Sequence, residues 1–233
     1  MSTAPVAMVT AASRGIGAAC ARELAARGFR VSLFARSEAV EALARELRGR
    51  ATRGDIASAA DLDRFVDETL RDCGRVDAAV VSTGHPPKGA LLDIADADWH
   101  AGLDLVLLPV VRIARRITPA LRERRGAIVN ISSFAAFEPD ARFPVSSALR
   151  AALASFCKLY ADAEARHGVR MNNLLPGFVD SLPVRPEVVT TIPMQRYARV
   201  EEMAKAAAFL LSPDAGYVTG QNLRADGGLT RSV

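Results

Sequence analysis

The sequence predicts a three-layer α/β fold: a doubly wound parallel sheet of about seven strands, covered by helices on both faces. Three observations predict it. Apolar runs of four to six residues alternate with amphipathic helical stretches along the chain, the pattern of strands buried on both faces. The first run, Val6–Val9, passes at once into a glycine-bearing turn, Thr10–Gly17, and then a helical stretch, Ala18–Arg27. The chain has 233 residues, 50% of them hydrophobic, with no repeat or Pro/Gly/Ser-rich linker to divide it. One sizeable core and a single domain over 1–233 are therefore expected.

The elements follow in order. Gly28 ends the first helix as a C-cap signal. Arg30–Phe34 is the second strand, and Ser37 caps a helix reaching about Arg48. Ala51–Asp55 is a short third strand. Ser58 and Asp61 have capping-box spacing, with Asp where Glu is usual, and open a helix ending near Gly74. Asp77–Ser82 is the fourth strand, leaving Thr83-Gly84-His85-Pro86-Pro87 as a loop. Asp96 or Asp98 caps a long helix to about Arg124, in which Pro109 marks either a kink or a boundary. Ala127–Ile131 is the fifth strand. A loop with Phe134, Phe137 and Phe143 leads to a helix from Pro144 to His167. Val169–Leu175 is the sixth strand. The proline-bearing segment from Pro176 to Tyr197 reads as an irregular, functional loop. Glu201–Leu211 is a helix, and Asn222–Ala225 the last strand.

Composition excludes several function classes. The net charge of +4 comes from basic residues spread over the helices, which indicates neither a nucleic-acid stripe nor a membrane patch. No apolar run approaches the ~20 residues of a membrane span, and the N-terminus has no signal-peptide pattern. Cys20, Cys73 and Cys157 are odd in number and lack metal-ligand spacing, so free thiols in a reducing cytoplasm are expected, with no metal site. The glycosylation triplet Asn130-Ile131-Ser132 falls in an expected buried strand and is set aside.

In open α/β sheets ligands lie beyond the carboxyl ends of the strands. Here those ends carry Thr10–Gly17, Ala35-Arg36-Ser37, Asp55-Ile56, Ser82-Thr83-Gly84, Ser132-Ser133 and Pro176-Gly177. Gly15 and Gly17 allow close backbone approach, and a helix start presents its N–H groups and dipole to a pyrophosphate. A dinucleotide site of Rossmann type follows. NAD sites commonly place an acid at the end of the second strand, where this chain has Ala35. Arg36 beside it, with Arg14 in the turn, suits the 2′-phosphate of NADP(H), favoured over NAD(H); the alternative is two solvated arginines.

Taken in order, these motifs resemble the short-chain dehydrogenase/reductase superfamily over essentially the whole chain. Thr10-Ala11-Ala12-Ser13-Arg14-Gly15-Ile16-Gly17 is similar to its cofactor loop, with Ala11 where the first glycine is usual. Asp55-Ile56 is similar to its adenine-contacting pair, Val81-Ser82-Thr83-Gly84 to its Asn-Asn-Ala-Gly, and Asn130-Ile131-Ser132-Ser133 to its serine strand. Arg170-Met171-Asn172 through Pro176-Gly177 and Asp226-Gly227-Gly228 are similar to its later segments. The resemblance implies a cofactor set of Thr10, Ser13, Arg14, Gly15, Ile16, Gly17, Arg36, Asp55, Ile56, Thr83, Gly84, Arg150, Pro176, Gly177, Val179 and Ser181. It implies a homo-oligomer, dimer or tetramer, and an oxidoreductase acting on a small carbonyl or alcohol.

The catalytic end departs from the family, which uses a serine, a tyrosine, a lysine four residues after it, and an upstream asparagine. Counting onto this chain gives Ser133, Ser146, Arg150 and Val106. No Tyr-x-x-x-Lys occurs anywhere, because the only tyrosines are Tyr160, Tyr197 and Tyr217 and the only lysines Lys88, Lys158 and Lys205. Losing a positioned general acid typically costs about 10²–10⁴ in rate. Two readings follow. One is an NADP(H)-dependent oxidoreductase with an altered proton relay through Ser146 and Arg150, its largely apolar substrate pocket including His85, Phe134 and Phe178. The other is a catalytically silent NADP(H)-binding scaffold or redox sensor. His85 is either a proton donor or an ordinary loop histidine.

Overall fold

The structure is a computed structural model, and it describes residues 4–232. Seven parallel strands form one sheet: β1 Val6–Thr10, β2 Arg30–Ala35, β3 Arg50–Arg53, β4 Ala78–Val81, β5 Ala127–Ile131, β6 Arg170–Pro176 and β7 Asn222–Ala225. Their order across the sheet is β3-β2-β1-β4-β5-β6-β7. The order reverses between β1 and β4, which are directly paired, and this reversal opens the crevice where such sheets bind ligands.

Two apolar layers flank the sheet, and strand alternation assigns residues to them. On one face Ala7, Val9, Val31 and Leu33 meet helix α1 (Gly15–Ala26), α2 (Ala39–Glu46) and α8 (Val200–Leu211). On the other, Met8, Phe34 and Ile128 meet α3 (Ala59–Cys73), α5 (Leu108–Arg124) and α6 (Pro144–Glu164). Phe34 and Phe65 are fully buried with ring centroids 5.0 Å apart. Each such side chain stabilises the fold by about 1.5–3 kcal/mol relative to exposure. Among the described residues no helix is long and apolar enough to cross a membrane.

Several elements differ from the sequence expectations, each for a local reason. The first helix begins at Gly15, not Ala18, because the Ala18 N–H already bonds the Arg14 carbonyl. The last three residues of the turn, Gly15, Ile16 and Gly17, therefore belong to the helix N-terminus. Glu38, not Ser37, is the N-cap of α2, although the Ser37 hydroxyl still accepts the Ala39 N–H at 3.3 Å. The third strand stops at Arg53 and leaves Asp55 in a turn, where its carboxylate accepts the Ala57 N–H. Ser58 does cap α3 by accepting from Asp61, but the short Asp61 side chain takes the Asp55 N–H instead of closing the box. The long helix is two, α4 (Asp96–Val106) and α5, and Pro109 lies in the first turn of α5, where a missing N–H costs nothing. The segment after β6 contains a short helix, α7 (Pro186–Val189).

Candidate active site

The carboxyl ends of β1, β4 and β6 build the floor of the site. Thr10 is buried at the end of β1, where its hydroxyl donates to the Ser82 carbonyl (2.7 Å) and accepts the Ser82 N–H (2.9 Å). It ties the two strands that diverge at the crevice. Gly17 is required by contact: a Cβ there would stand 2.4 Å from the Ala11 carbonyl oxygen. Gly15 has φ +57° and faces Ser181, whose Cβ would lie 3.2 Å from a Cβ at Gly15. The segment after β6 thus folds over the turn and unites Gly15 with Ser181, although 166 residues separate them. Val179 is held there by a bridge to Ala198, and Gly177 by close approach to Asp226.

An alanine fits such a turn without strain only at negative φ, but Ala11 has φ +49°, in the left-handed region. The turn keeps the conformation that a glycine adopts freely, and alanine occupies it under strain.

The start of α1 fits a dinucleotide pyrophosphate. Arg14 is its N-cap with no side-chain cap bond, and no acidic residue lies in the first turn. The first N–H groups of a helix have no partner within it, so they face the crevice together with the dipole. Arg14 is exposed. At the ends of β2 and β3, Arg36, Arg53 and Arg64 line one cavity of about 380 Å³ with Gly54 and Asp61. Arg36 is only 3.9 Å from Asp55, and Arg53 only 4.0 Å from Glu41. Arg64 is fixed, donating to Asp61 and to the Arg53 carbonyl at 2.7 Å each. Sequence reasoning missed Arg53 and Arg64. Their signal was two further arginines within nine residues of Asp55, but nothing in the sequence says that they turn toward Arg36.

The family's tyrosine and lysine positions lie on the first turns of α6. Arg150 Nε donates to Ser146 Oγ at 3.1 Å, and Nη1 to the Ile131 carbonyl at 2.9 Å. The guanidinium is thus held between the end of β5 and the start of α6. Burial pulls its pKa down to about 10, so it stays a cation at neutral pH. Ser133 Oγ accepts the Ala135 N–H at 3.2 Å, in a 3-10 turn over Phe134–Ala136. Ser133 and Ser146 therefore both accept from the protein, and each keeps its O–H free to donate outward.

The aromatic residues divide. Phe134 and Phe178 are buried, with centroids 5.9 Å apart, and Phe178 stacks on Tyr197 at 5.4 Å. They form a small satellite core with Val188 and Ile192, and Phe178 also lines a cavity with Met194, Arg224 and Asp226. Phe137 stands 45% exposed instead. His85 is exposed in the loop that follows β4. Partial burial and then the positive charges of Arg150, Lys88 and Arg14 hold its pKa below the ordinary histidine value. A depressed pKa leaves the imidazole neutral at pH 7, which weakens it as a proton donor.

Comparison with known proteins extends over nearly the whole chain. The family described as enoyl-(acyl carrier protein) reductase matches residues 10–230. A 3-oxoacyl-[acyl-carrier-protein] reductase of Synechocystis sp. is 34% identical, over 97% of each chain. Among solved structures, YwfH, an NADPH-dependent reductase of bacilysin biosynthesis, superposes with TM-score 0.94 at 25% identity, covering 99% of this chain and 100% of its own. L-sorbose reductase from Gluconobacter frateurii, in complex with NADPH and L-sorbose, superposes with TM-score 0.89 at 27% identity, covering 99% and 98%.

Proposed function

The chain belongs to the short-chain dehydrogenase/reductase superfamily, and from that premise we propose that it is an NADP(H)-dependent oxidoreductase acting on a small carbonyl or alcohol. The observation that carries the cofactor choice is the group of arginines at the ends of β2 and β3, where Ala35 stands in place of the usual acid. Arg36 and Arg14 suit the 2′-phosphate, and the loose pairing of Arg36 and Arg53 leaves them able to engage an anion. That the solved relatives described above work with NADPH supports the same choice.

Gly15, Ile16 and Gly17 would hold the pyrophosphate through backbone N–H groups. Ser13, Thr83, Gly84, Pro176 and Ser181 would line the rest of the crevice, and Asp55-Ile56 the adenine end. When bound, the cofactor supplies or accepts a hydride. The chain's own part is to orient and polarise the substrate oxygen. Ser133 and Ser146 both have a free O–H, and Arg150 raises the donor strength of Ser146 by hydrogen-bonding its oxygen. A serine hydroxyl does not ionise near neutrality, so the proton comes from water at the open end. We place the protein in the cytoplasm as a dimer or tetramer, in keeping with three free cysteines and with exposed Leu159, Phe209 and Tyr217.

A titration of NADPH against NADH tests this. NADPH is expected to bind at least about tenfold more tightly, a difference of about 1.4 kcal/mol. Arg36→Ala should remove most of that preference while leaving NADH affinity unchanged. Equal affinity for the two cofactors in the wild type would refute the cofactor assignment.

A further inference from the structure

Arg150 is 5% exposed, and both hydrogen-bond partners of its guanidinium are neutral: the Ile131 carbonyl and Ser146 Oγ. Among the described residues no carboxylate lies within 4 Å of it, and its Nη2 has no partner. A buried cation without a counter-charge is strongly unfavourable unless something else supplies one.

A second cation lies in the same neighbourhood, since Lys88 and Arg150 both act electrostatically on His85. The Lys88 amine lies 4.8 Å from the centroid of Phe143, three residues before Ser146, and among the described residues it makes no ion pair. The loop that carries His85 and Lys88 abuts the first turn of α6. A Cβ built on Gly102 would meet Val145 at 2.4 Å and Pro86 at 3.6 Å, so those two residues converge on one spot. Two acids in the loop before α6 are already engaged. Asp140 is gripped by Arg142 Nε and Nη2, and Glu138 accepts the backbone N–H groups of Arg231 and Ser232. The His85 pKa is lowered first by burial and then by the positive charges of Arg150, Lys88 and Arg14. Arg14, the third cation felt at His85, lies at the phosphate turn.

We infer that the substrate is an organic anion, a carboxylate-bearing carbonyl compound of the 2-oxo-acid class. Its carboxylate supplies the missing counter-charge between Lys88 and Arg150 Nη2, and its carbonyl oxygen meets Ser133 and Ser146. The inference rests on the oxidoreductase reading above and adds the substrate class. An aryl or alkyl tail suits the wall at Phe143. Charge-assisted pairs in a partly buried site are the strong ones, so a neutral isostere is rejected.

The test is calorimetric and uses the protein saturated with NADP⁺. Cofactor binding is measured first, so its failure would count against the function proposed above and not against the substrate class. Phenylpyruvate and 2-oxobutyrate are then titrated, each against its own primary amide. At least one acid is expected to bind about tenfold or more tightly than its amide. Lys88→Gln should cut that preference by about fivefold or more without changing NADP⁺ affinity, which an exposed lysine away from the cofactor turn permits. Arg150→Gln should cut it further, with folding checked by circular dichroism and a thermal melt. If neither acid binds better than its amide, or if the preference survives Lys88→Gln intact, the inference is wrong.

Discussion

At the scale of single residues, one departure from the family pattern is also strained. Ala11 holds φ +49° because Gly17 closes against its carbonyl and Thr10 pins the strand end before it. A left-handed L-residue costs roughly 1–2 kcal/mol, whereas glycine loses about 0.5–1 kcal/mol more conformational entropy on folding than alanine. Ala11→Gly should therefore stabilise the protein by about 0.5–1 kcal/mol. In a chain of this size, that raises Tm by roughly 1–4 °C. A thermal melt of the variant checks it, and an unchanged or lower Tm would mean that the turn carries no strain. The sequence revealed that a small residue stands at this position but not the sign of its φ, because that sign is set by the close approach of Gly17 to the Ala11 carbonyl. Ser146 and Arg150 were equally visible as a departure. What their spacing did not show is that Arg150 turns back to the Ile131 carbonyl and that its Nε donates to Ser146.

At the scale of elements, the order and type of every strand followed from periodicity, while the boundaries depended on capping contacts between neighbours. The Ser58 cap and the Gly74 stop were legible because each is a local device. The break at Leu107 was ambiguous, since Pro109 is compatible with either a kink or a helix start. Pairing between helices was not legible at all. Arg122 on α5 binds Glu164 on α6 through two bonds, Nε to Oε2 at 2.7 Å and Nη2 to Oε1 at 2.6 Å. The Glu164 side chain is 10% exposed, but Arg122 is 46% exposed, so solvent screening limits the pair to about 1 kcal/mol or less. The hydrogen bonds from Arg122, more than its charge at a distance, lower the Glu164 pKa below the usual carboxylate value. A carboxylate depressed in the folded state contributes stability above its unfolded pKa and loses it as pH falls through the folded value. Glu164→Gln should thus cost up to about 1 kcal/mol in urea melts at pH 7. The gap to wild type should close on acidification below about pH 4. A gap independent of pH would assign the effect to packing.

At the scale of the whole molecule, the site exists only because the sheet order reverses between β1 and β4. The phosphate turn, the arginine group, Ser133 and Ser181 are scattered along the chain, and the parallel sheet brings their strand ends to one edge. That convergence was legible, since strand ends in an alternating chain must share an edge. The lining was less so: Phe134 and Phe178 are apolar enough for a pocket wall, yet they pack on Tyr197 and Ile192 in a satellite core. A ligand in this crevice would touch elements from β1 through the segment after β6, so its binding energy should be felt by all of them together. At 100 times its dissociation constant, a ligand binding only the native state adds about 2.7 kcal/mol; one bound tenfold more weakly adds about 1.4 kcal/mol at the same concentration. NADPH should accordingly raise Tm by about 5–11 °C, and NADH at equal concentration by about half as much. The entire unfolding transition should move as one, because α1 packs against α8 and the β1–β2 and β5–β6 pairs belong to the same sheet. Differential scanning calorimetry distinguishes the outcomes. A transition that splits, with one part unmoved by NADPH, would show that the crevice and the β6–β7 edge unfold independently and that the chain is not a single cooperative unit.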